Sequence, residues 1–228
     1  MGYSQVCGEQ PANSKAYHIE ELRIAASADD PRRTLPPISP GFKRILDVGC
    51  GAGQTLIASH VGPGVIAIGV DLDLAALRLG RELGTHIHFV CATGEELPFK
   101  DAHFDLVISR VSLPYMRASK ALPEIARVTR PGGSLWMVLH PFSMVWRQLR
   151  SSVLSLNLAD VVFRLYVIAN GLFFHFWGKE FVFPRGRRCE SFQTAKGIKR
   201  ALRAAGFDDI KVCEEQHFVV TAKRSSGS

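Results

Sequence analysis

The feature that most constrains this chain is an apolar run that ends in a glycine-rich turn, at residues 45–54 (ILDVGCGAGQ). Residues 45–48 predict a buried strand, and residues 55–60 predict the start of a helix. Gly51 and Gly53 lack a Cβ and tolerate positive φ, so a ligand can lie against bare backbone there. The turn also leaves N–H groups at the start of the helix that can donate to such a ligand. The stretch therefore predicts a strand, a ligand-binding turn and a helix.

The spacing of the glycines distinguishes two cofactor classes that bind to such a turn, the dinucleotides and S-adenosylmethionine. The dinucleotide fingerprint Gly-x-Gly-x-x-Gly would place its third glycine at the position of Gln54. The glycines fall instead at Gly49, Gly51 and Gly53. Asp47 precedes them at the end of the strand, where a carboxylate repels a pyrophosphate but attracts the ammonium and sulfonium groups of S-adenosylmethionine. The pattern favours S-adenosylmethionine.

Composition sets the size of the protein and the range of partners. With 228 residues, 46% of them hydrophobic, the chain is expected to form one domain with a full core. A net charge of +7 permits nucleic acid or an anionic membrane as partner but requires neither. The five cysteines include no C-x-x-C pair, which predicts reduced thiols and no metal site. The N-terminus lacks the pattern of a signal peptide, and we expect a cytoplasmic protein.

Predicted strands and helices alternate along the rest of the chain. Asp73 can cap a helix predicted at residues 74–83, and Thr194 opens the last predicted helix. The alternation predicts an α/β fold with a Rossmann-like, doubly wound, mostly parallel seven-stranded sheet. The predicted strands after the turn cover residues 65–70, 87–91, 104–109, 134–140, 207–213 and 216–223, and the predicted helices cover 74–83, 119–130 and 194–205.

Four segments in this order resemble the class I S-adenosylmethionine-dependent methyltransferases, in their small-molecule branch. They are residues 45–54, 69–73, 94–105 and 124–133. The resemblance implies a methyltransferase with S-adenosylmethionine as cofactor. The resemblance covers roughly residues 40–140 and 190–223, and the polar start and end of the sequence lie outside it. We therefore divide the chain into an N-terminal extension (1–40), a cofactor-binding core (41–140), an apolar helical insertion (141–189), the C-terminal part of the core (190–223) and a disordered tail (224–228).

The resemblance places the cofactor along the carboxyl edge of the sheet. Asp71 would accept hydrogen bonds from both ribose hydroxyls, and Leu72 would pack on the adenine unless it is a plain core leucine. Ser109 and Arg110 would line the methionine end, largely through backbone groups, although Arg110 can instead be solvated or held by Glu95 or Glu96. The loop itself would contribute Asp47, Gly49, Cys50, Gly51, Gly53 and Gln54.

The adenine edge is where the sequence departs from the family pattern. Gly94 and the residue before it would lie there, and the family usually has an acidic residue at the position of Thr93. The threonine hydroxyl can accept one hydrogen bond from the exocyclic amine. Glu95 is the alternative candidate for that contact.

Methyl transfer needs alignment of donor and acceptor more than a fixed catalytic group, so the resemblance carries over no universal catalytic residue. His140 ends the fifth predicted strand at the edge where ligands bind in such sheets. We expect it either to touch the acceptor or to form a structural hydrogen bond. Tyr115 either walls the acceptor pocket or simply packs.

Residues 141–188 have no counterpart in the family pattern and are unusually apolar. Asp160 and Arg164 interrupt the run, so two amphipathic helices are predicted rather than a membrane span. The insertion can be a lid over the acceptor pocket, a dimer face or an interfacial membrane helix. The predicted apolar faces are Val145, Leu149, Val153 and Leu156 in the first helix, and Leu165, Ile168, Leu172 and Phe176 in the second.

Two short segments leave further alternatives open. A helix at residues 15–26 is either a flap over the site or a surface helix with a frayed tail. Arg185, Arg187 and Arg188 either bind an anionic group of the substrate or form a solvated loop.

The sequence favours a methyltransferase that acts on a small, apolar or aromatic molecule, as a monomer or homodimer. The alternatives are an RNA or other nucleic-acid methyltransferase, which the positive charge favours, and a non-catalytic protein that binds the cofactor. No nucleic-acid-binding module is recognisable, and nucleic acid is the less favoured partner.

Overall fold

The computed structural model describes residues 14–226 except 63, 85 and 185–188. Its centre is a seven-stranded sheet in the order β3-β2-β1-β4-β5-β7-β6, in which β7 alone runs antiparallel to its neighbours. This confirms the predicted fold class. The strands are β1 (Arg44–Val48), β2 (Ile66–Asp71), β3 (Ile87–Cys91), β4 (Phe104–Arg110), β5 (Thr129–Leu139), β6 (Phe207–Cys213) and β7 (Phe218–Arg224).

Helices cover both faces of the sheet. The predicted caps are present: the Asp73 carboxylate accepts hydrogen bonds from the first-turn N–H groups of α3, and the Thr194 hydroxyl accepts one from Gly197 in α7. The helices are α1 (Ser14–Ala26), α2 (Gln54–Ala58), α3 (Leu74–Leu83), α4 (Ala118–Val128), α5 (Phe142–Leu154), α6 (Leu158–Trp177) and α7 (Ala195–Ala204), with a 3₁₀ turn at Leu113–Tyr115.

The junction of α4 and β5 differs from the prediction. The helix ends at Val128 and does not reach Arg130, because Thr129 already pairs with Phe104 of β4. The glycines at 132 and 133 lie inside β5, where the register between β4 and β5 shifts. Residues 131–133, which the sequence leaves as a turn between the predicted helix (119–130) and the predicted strand (134–140), are therefore an irregular part of the strand.

The C-terminal end of the sheet is longer than predicted. Arg224, which the sequence placed in a disordered tail, is the last residue of β7, and its guanidinium donates to the carbonyl oxygens of Ala126 and Gly206. The predicted tail is therefore structured at its first residue, while residues 227 and 228 lie outside the described part of the chain.

The cysteines follow the prediction in three positions and depart from it in one. Cys50 and Cys189 are buried free thiols, and Cys213 is an exposed one. Cys91, at the end of β3, is disulfide-bonded, so the prediction of reduced thiols throughout is wrong there. Disulfide formation depends on how close two Cβ atoms come in the fold, which spacing along the chain does not reveal.

The insertion forms two helices, as predicted, but their buried faces differ from the prediction. In α5, Val145 and Leu149 are buried as expected, whereas Val153 is 52% exposed. In α6 the predicted apolar face is largely exposed. The side chains that α6 buries are Tyr166, Val167, Asn170 and Phe174, together with Gly171.

Candidate functional site

The glycine turn after β1 has a backbone that only glycine adopts easily. Gly49, Gly51 and Gly53 have φ values of 74°, 54° and 78°. The turn also has no room for a side chain at Gly49, because a Cβ there would lie 2.1 Å from the Cβ of Ser112. The turn therefore presents bare backbone at the carboxyl edge of the sheet, as the sequence predicts.

Asp47 is a buried carboxylate without a partner. Its residue is 1% exposed, and neither carboxylate oxygen has a hydrogen-bond partner in the described structure. Burial raises the pKa of Asp47 to about 7; the positive charge of Arg110 lowers it, and the negative charge of Asp71 raises it further. A cationic ligand beside Asp47 would stabilise the ionised form. The ammonium or sulfonium group of S-adenosylmethionine fits this position.

Asp71 lies at the end of the neighbouring strand β2 and is held in place by the backbone. One carboxylate oxygen accepts from the N–H of Gly51 at 2.8 Å, and the other accepts from the N–H of Asp73 at 2.9 Å. Each oxygen keeps a further lone-pair direction, so the carboxylate can still accept from a pair of ribose hydroxyls. Leu72 is half-buried beside it. The predicted ribose contact is compatible with this geometry.

The adenine edge is organised by short-range contacts. The Thr93 hydroxyl accepts from the N–H of Glu95 at 3.2 Å. A Cβ on Gly94 would lie 2.7 Å from the sulfur of Met116, so the loop packs tightly there. The Glu95 carboxylate accepts from the backbone N–H and from Nε of Arg117, at 2.9 and 2.7 Å. Because Arg117 already holds Glu95, Thr93 is the freer of the two candidates for the exocyclic amine.

Arg110 connects the end of β4 to the N-terminal helix. Its guanidinium contacts the Glu21 carboxylate at 2.9 Å and the Thr55 hydroxyl at 3.1 Å. The neighbouring-glutamate alternative at Glu95 or Glu96 is therefore wrong, because the partner comes from a helix distant in sequence. The Ser109 side chain, fully buried, bonds to the Ser112 hydroxyl at 2.7 Å.

Helix α1 lies against the glycine turn. His18 Nδ1 and Gln54 Nε2 are 2.9 Å apart, and a Cβ on Gly51 would lie 2.8 Å from the His18 ring. The Cys50 thiol, buried in the same turn, lies 3.3 Å from the Gly51 carbonyl oxygen, and burial raises its pKa. Sequence reasoning did not identify His18 or Glu21 as part of the site, since no local motif marks them. The position of α1 supports the flap alternative.

Tyr115 and His140 come together at the other end of the same edge. Their ring centroids are 5.4 Å apart, edge to face. Burial lowers the pKa of His140 to about 4, so the imidazole is neutral at pH 7. Burial and the charge of Glu190 raise the pKa of Tyr115 to about 12. Both candidates for acceptor contact are thus uncharged at neutral pH.

Two further expectations concern anions and metals. Arg185, Arg187 and Arg188 lie outside the described residues. Across the part of the chain that the structure describes, no three His, Cys, Asp or Glu side chains come together in a group able to hold a metal ion.

Comparison with known proteins agrees with this geometry. Residues 46–137 match the family model described as a methyltransferase domain. A ubiquinone/menaquinone biosynthesis C-methyltransferase UbiE of Burkholderia orbicola is 35% identical over 122 residues, which are 50% of this chain and 49% of that protein. The chain spans about half the length of the curated relatives it matches.

Solved structures share the fold at low sequence identity. An S-adenosylmethionine-dependent methyltransferase of Methanosarcina mazei is 21% identical, with a TM-score of 0.54 and coverage of 82% of this chain and 94% of that one. Human N-acetylserotonin methyltransferase, solved in complex with S-adenosylmethionine, is 16% identical, with a TM-score of 0.56 and coverage of 94% and 54%.

These findings define the class. Residues 46–137 match a methyltransferase domain, and the chain has the fold of the S-adenosylmethionine-dependent methyltransferases named above, so the predicted resemblance is confirmed at this level. The cofactor that this domain and fold indicate is S-adenosylmethionine. The individual contacts assigned above to cofactor and acceptor stay predictions.

Proposed function

We propose that this chain transfers a methyl group from S-adenosylmethionine to a small, apolar or aromatic molecule. The observation that carries the proposal is Asp47, a carboxylate that is buried without a hydrogen-bond partner beside a turn of three left-handed glycines. A fold does not bury such a group without a compensating gain, and a cationic cofactor supplies one. The same position would be unfavourable for the pyrophosphate of a dinucleotide.

The cofactor would be held by groups that the fold already orients. Asp71 is fixed by two backbone N–H groups and offers its remaining lone pairs to a diol. The backbone of residues 49–53 offers close approach without side chains. Helix α1 is linked to the sheet edge by the Glu21–Arg110 ion pair and would cover one side of the bound cofactor. When bound, S-adenosylmethionine supplies an activated methyl group on a cationic sulfur.

The acceptor would lie near His140 and Tyr115. A neutral, buried imidazole can accept a hydrogen bond from a hydroxyl of the acceptor and so orient it toward the methyl group. The adjacent tyrosine ring offers an apolar wall for an aromatic or lipophilic molecule. The relative named as a ubiquinone/menaquinone biosynthesis C-methyltransferase supports an aromatic ring as the first acceptor to test.

A turnover assay tests this function. Labelled S-adenosylmethionine is incubated with the purified chain and with a panel of quinols, phenols, amines and carboxylic acids, and mixed tRNA and DNA are tested in parallel. We expect transfer to at least one aromatic acceptor and none to nucleic acid. Transfer only to RNA would support the nucleic-acid alternative, and cofactor binding without any transfer would support a non-catalytic role.

Variants identify the residues involved. We expect His140→Gln to lower kcat by about 10²-fold if the imidazole orients the acceptor. Tyr115→Leu should mainly raise KM for the acceptor. His88→Gln, at an exposed position of β3, is the matched control and should leave both constants unchanged. Unchanged kcat in the His140 variant would assign that residue a structural role.

A further inference from the structure

The insertion exposes an apolar surface that is unusual for the rest of the molecule. Of the eighteen large apolar side chains that are exposed among the described residues, thirteen lie between Phe142 and Val182. Scattered exposed leucines need no explanation, but a concentration of this kind marks an interaction surface.

The exposed side chains of α6 form one continuous stripe. Leu158, Val162, Leu165, Leu172 and Phe176 are 45–76% exposed and follow one another at helical spacing of three, four or seven residues. The stripe runs about 27 Å along the helix at 1.5 Å per residue. It contains no charged residue. The end of α5 adds Leu154 and the turn after it adds Leu156, which are 81% and 83% exposed.

The charges that interrupt α6 in sequence face away from this stripe. Asp160 bonds to the Ser152 hydroxyl of α5. Arg164 contacts Gln148 and Glu190, and its side chain is only 19% exposed. The other face of the helix is buried against the protein. By length and composition alone, α6 could span a membrane. In the structure, however, one face of the helix is buried against the rest of the protein.

Charge is segregated around the stripe. Two carboxylates occur between residues 142 and 182, and both point inward: Asp160 as described, and Glu180 beside the N–H of Ser119. The cations Arg147, Arg150 and Lys179 are exposed. Trp146 in the first turns of α5 is 49% exposed, and Trp177 at the end of α6 is 64% exposed. Exposed apolar side chains, exposed cations and amphipathic aromatic rings together are the composition of an interfacial membrane surface.

We propose that the exposed face of α5 and α6 docks on the surface of an anionic lipid bilayer. The apolar stripe of α6 would lie in the headgroup region, and the helix would not span the membrane. A second copy of the chain fits less well, because a symmetric contact would bring the same exposed cations together without carboxylates to pair them. The net charge of +7 adds long-range attraction to an anionic surface. The inference concerns a surface outside the proposed active site.

Vesicle binding tests the proposal without any need for methyl transfer. The full chain is co-sedimented with vesicles of phosphatidylcholine alone or with 30 mol% phosphatidylserine, at low and high salt, with no cofactor present. We expect at least tenfold stronger binding to the anionic vesicles and a marked loss of it at high salt. Fluorescence should shift to the blue on binding through Trp146 and Trp177, since Trp136 is already buried.

Variants separate the membrane from the alternatives. Leu165→Gln with Leu172→Gln should reduce vesicle binding at least tenfold and leave the melting temperature unchanged, and Arg147→Gln with Arg150→Gln should remove most of the anionic preference. Leu83→Gln, at a residue 45% exposed on α3, is the matched control. The proposal is overturned if the leucine variant binds vesicles as the wild type does, or if neither vesicle binds. It is also overturned if the wild type sediments as a dimer that the same variant converts to a monomer while vesicle binding is absent.

Discussion

The cofactor-binding core (41–140) and the insertion (141–189) use apolar and polar residues in opposite ways. In the core, Leu46 and Ile108 are fully buried in the sheet, and the polar side chains gather at its carboxyl edge. In the insertion, Asn170 is fully buried, where it donates to the Glu190 carbonyl oxygen and accepts from the N–H of Phe181, while Leu165 is 52% exposed. The core has the distribution that folding alone favours. The insertion keeps apolar surface outside, which points to selection for contact with something else.

The largest expected effect tests which face of α6 belongs to the protein. Phe174 is fully buried and Phe176 is 61% exposed, two positions apart on the same helix. We expect Phe174→Ala to lower the free energy of unfolding by about 3–5 kcal/mol, through lost burial and the cavity left behind. Phe176→Ala should change it by less than about 0.5 kcal/mol. Urea denaturation of both variants makes the measurement, and equal losses would contradict the assignment of the two faces.

The next largest effect concerns Asp47 in the core, whose burial without a hydrogen-bond partner lowers the stability of the protein at neutral pH. The folded-state pKa of Asp47, about 7, lies above the ordinary value of 3.8, so the folded protein holds a proton that the unfolded chain has lost. Stability from this group is present at low pH and is lost as pH rises toward 7, by at most about 4 kcal/mol. Asp47→Asn should therefore stabilise the cofactor-free protein by about 1–3 kcal/mol at pH 8 and by little at pH 4.

The same substitution should weaken the cofactor. We expect the Kd for S-adenosylmethionine, measured by calorimetry at pH 8, to rise at least tenfold in Asp47→Asn, because the cation loses its counter-charge. Asp29→Asn, at an exposed carboxylate, is the control for both measurements. A variant that is less stable than the wild type at pH 8, yet binds the cofactor normally, would show that Asp47 is structural.

The contrast between the regions also explains what the sequence could predict. In the core, β3, α3 and β6 have the predicted bounds. Apolar runs and helix caps such as Asp73 determine these elements through residues close to one another in sequence. In α6 the apolar residues occur on all sides, so periodicity predicts the helix but not its inward face. The polar Asn170 and Tyr166, which anchor that face, carry no signal for burial in sequence.

The candidate site divides in the same manner. The glycine turn and the two aspartates at the ends of β1 and β2 could be located because one contiguous motif specifies each of them. His18 and Glu21 could not, since they reach the site through the packing of α1, a contact between segments more than 30 residues apart. The disulfide bond of Cys91 was missed because spacing along the chain does not reveal which cysteines come close in the fold.

A smaller effect tests how closely the insertion packs on the segment that follows it. A Cβ on Gly171 would lie 2.2 Å from the ring of Phe192, which is 2% exposed. Gly171→Ala gains about 1 kcal/mol in helix propensity but forces the ring to move, at a cost of about 1–3 kcal/mol. We expect a net loss of up to about 2 kcal/mol in the free energy of unfolding, measured by thermal denaturation. In a Phe192→Ala background the same substitution should be neutral or stabilising, and a loss there too would place the cause elsewhere.

The smallest effect tests the joint between the two regions. The Thr194 hydroxyl accepts from the N–H of Gly197 at 3.1 Å, which caps α7, and lies 2.6 Å from Nδ1 of His175 in α6. The Thr194 side chain thus caps the helix that follows the insertion and also links that helix to α6. Thr194→Ala should cost about 1 kcal/mol, the typical value of a helix cap. Thr194→Ser keeps the hydroxyl and should retain most of that stability. If the serine variant loses as much as the alanine variant, the methyl group and not the hydroxyl joins the regions, and the insertion is then held to the core by apolar packing alone.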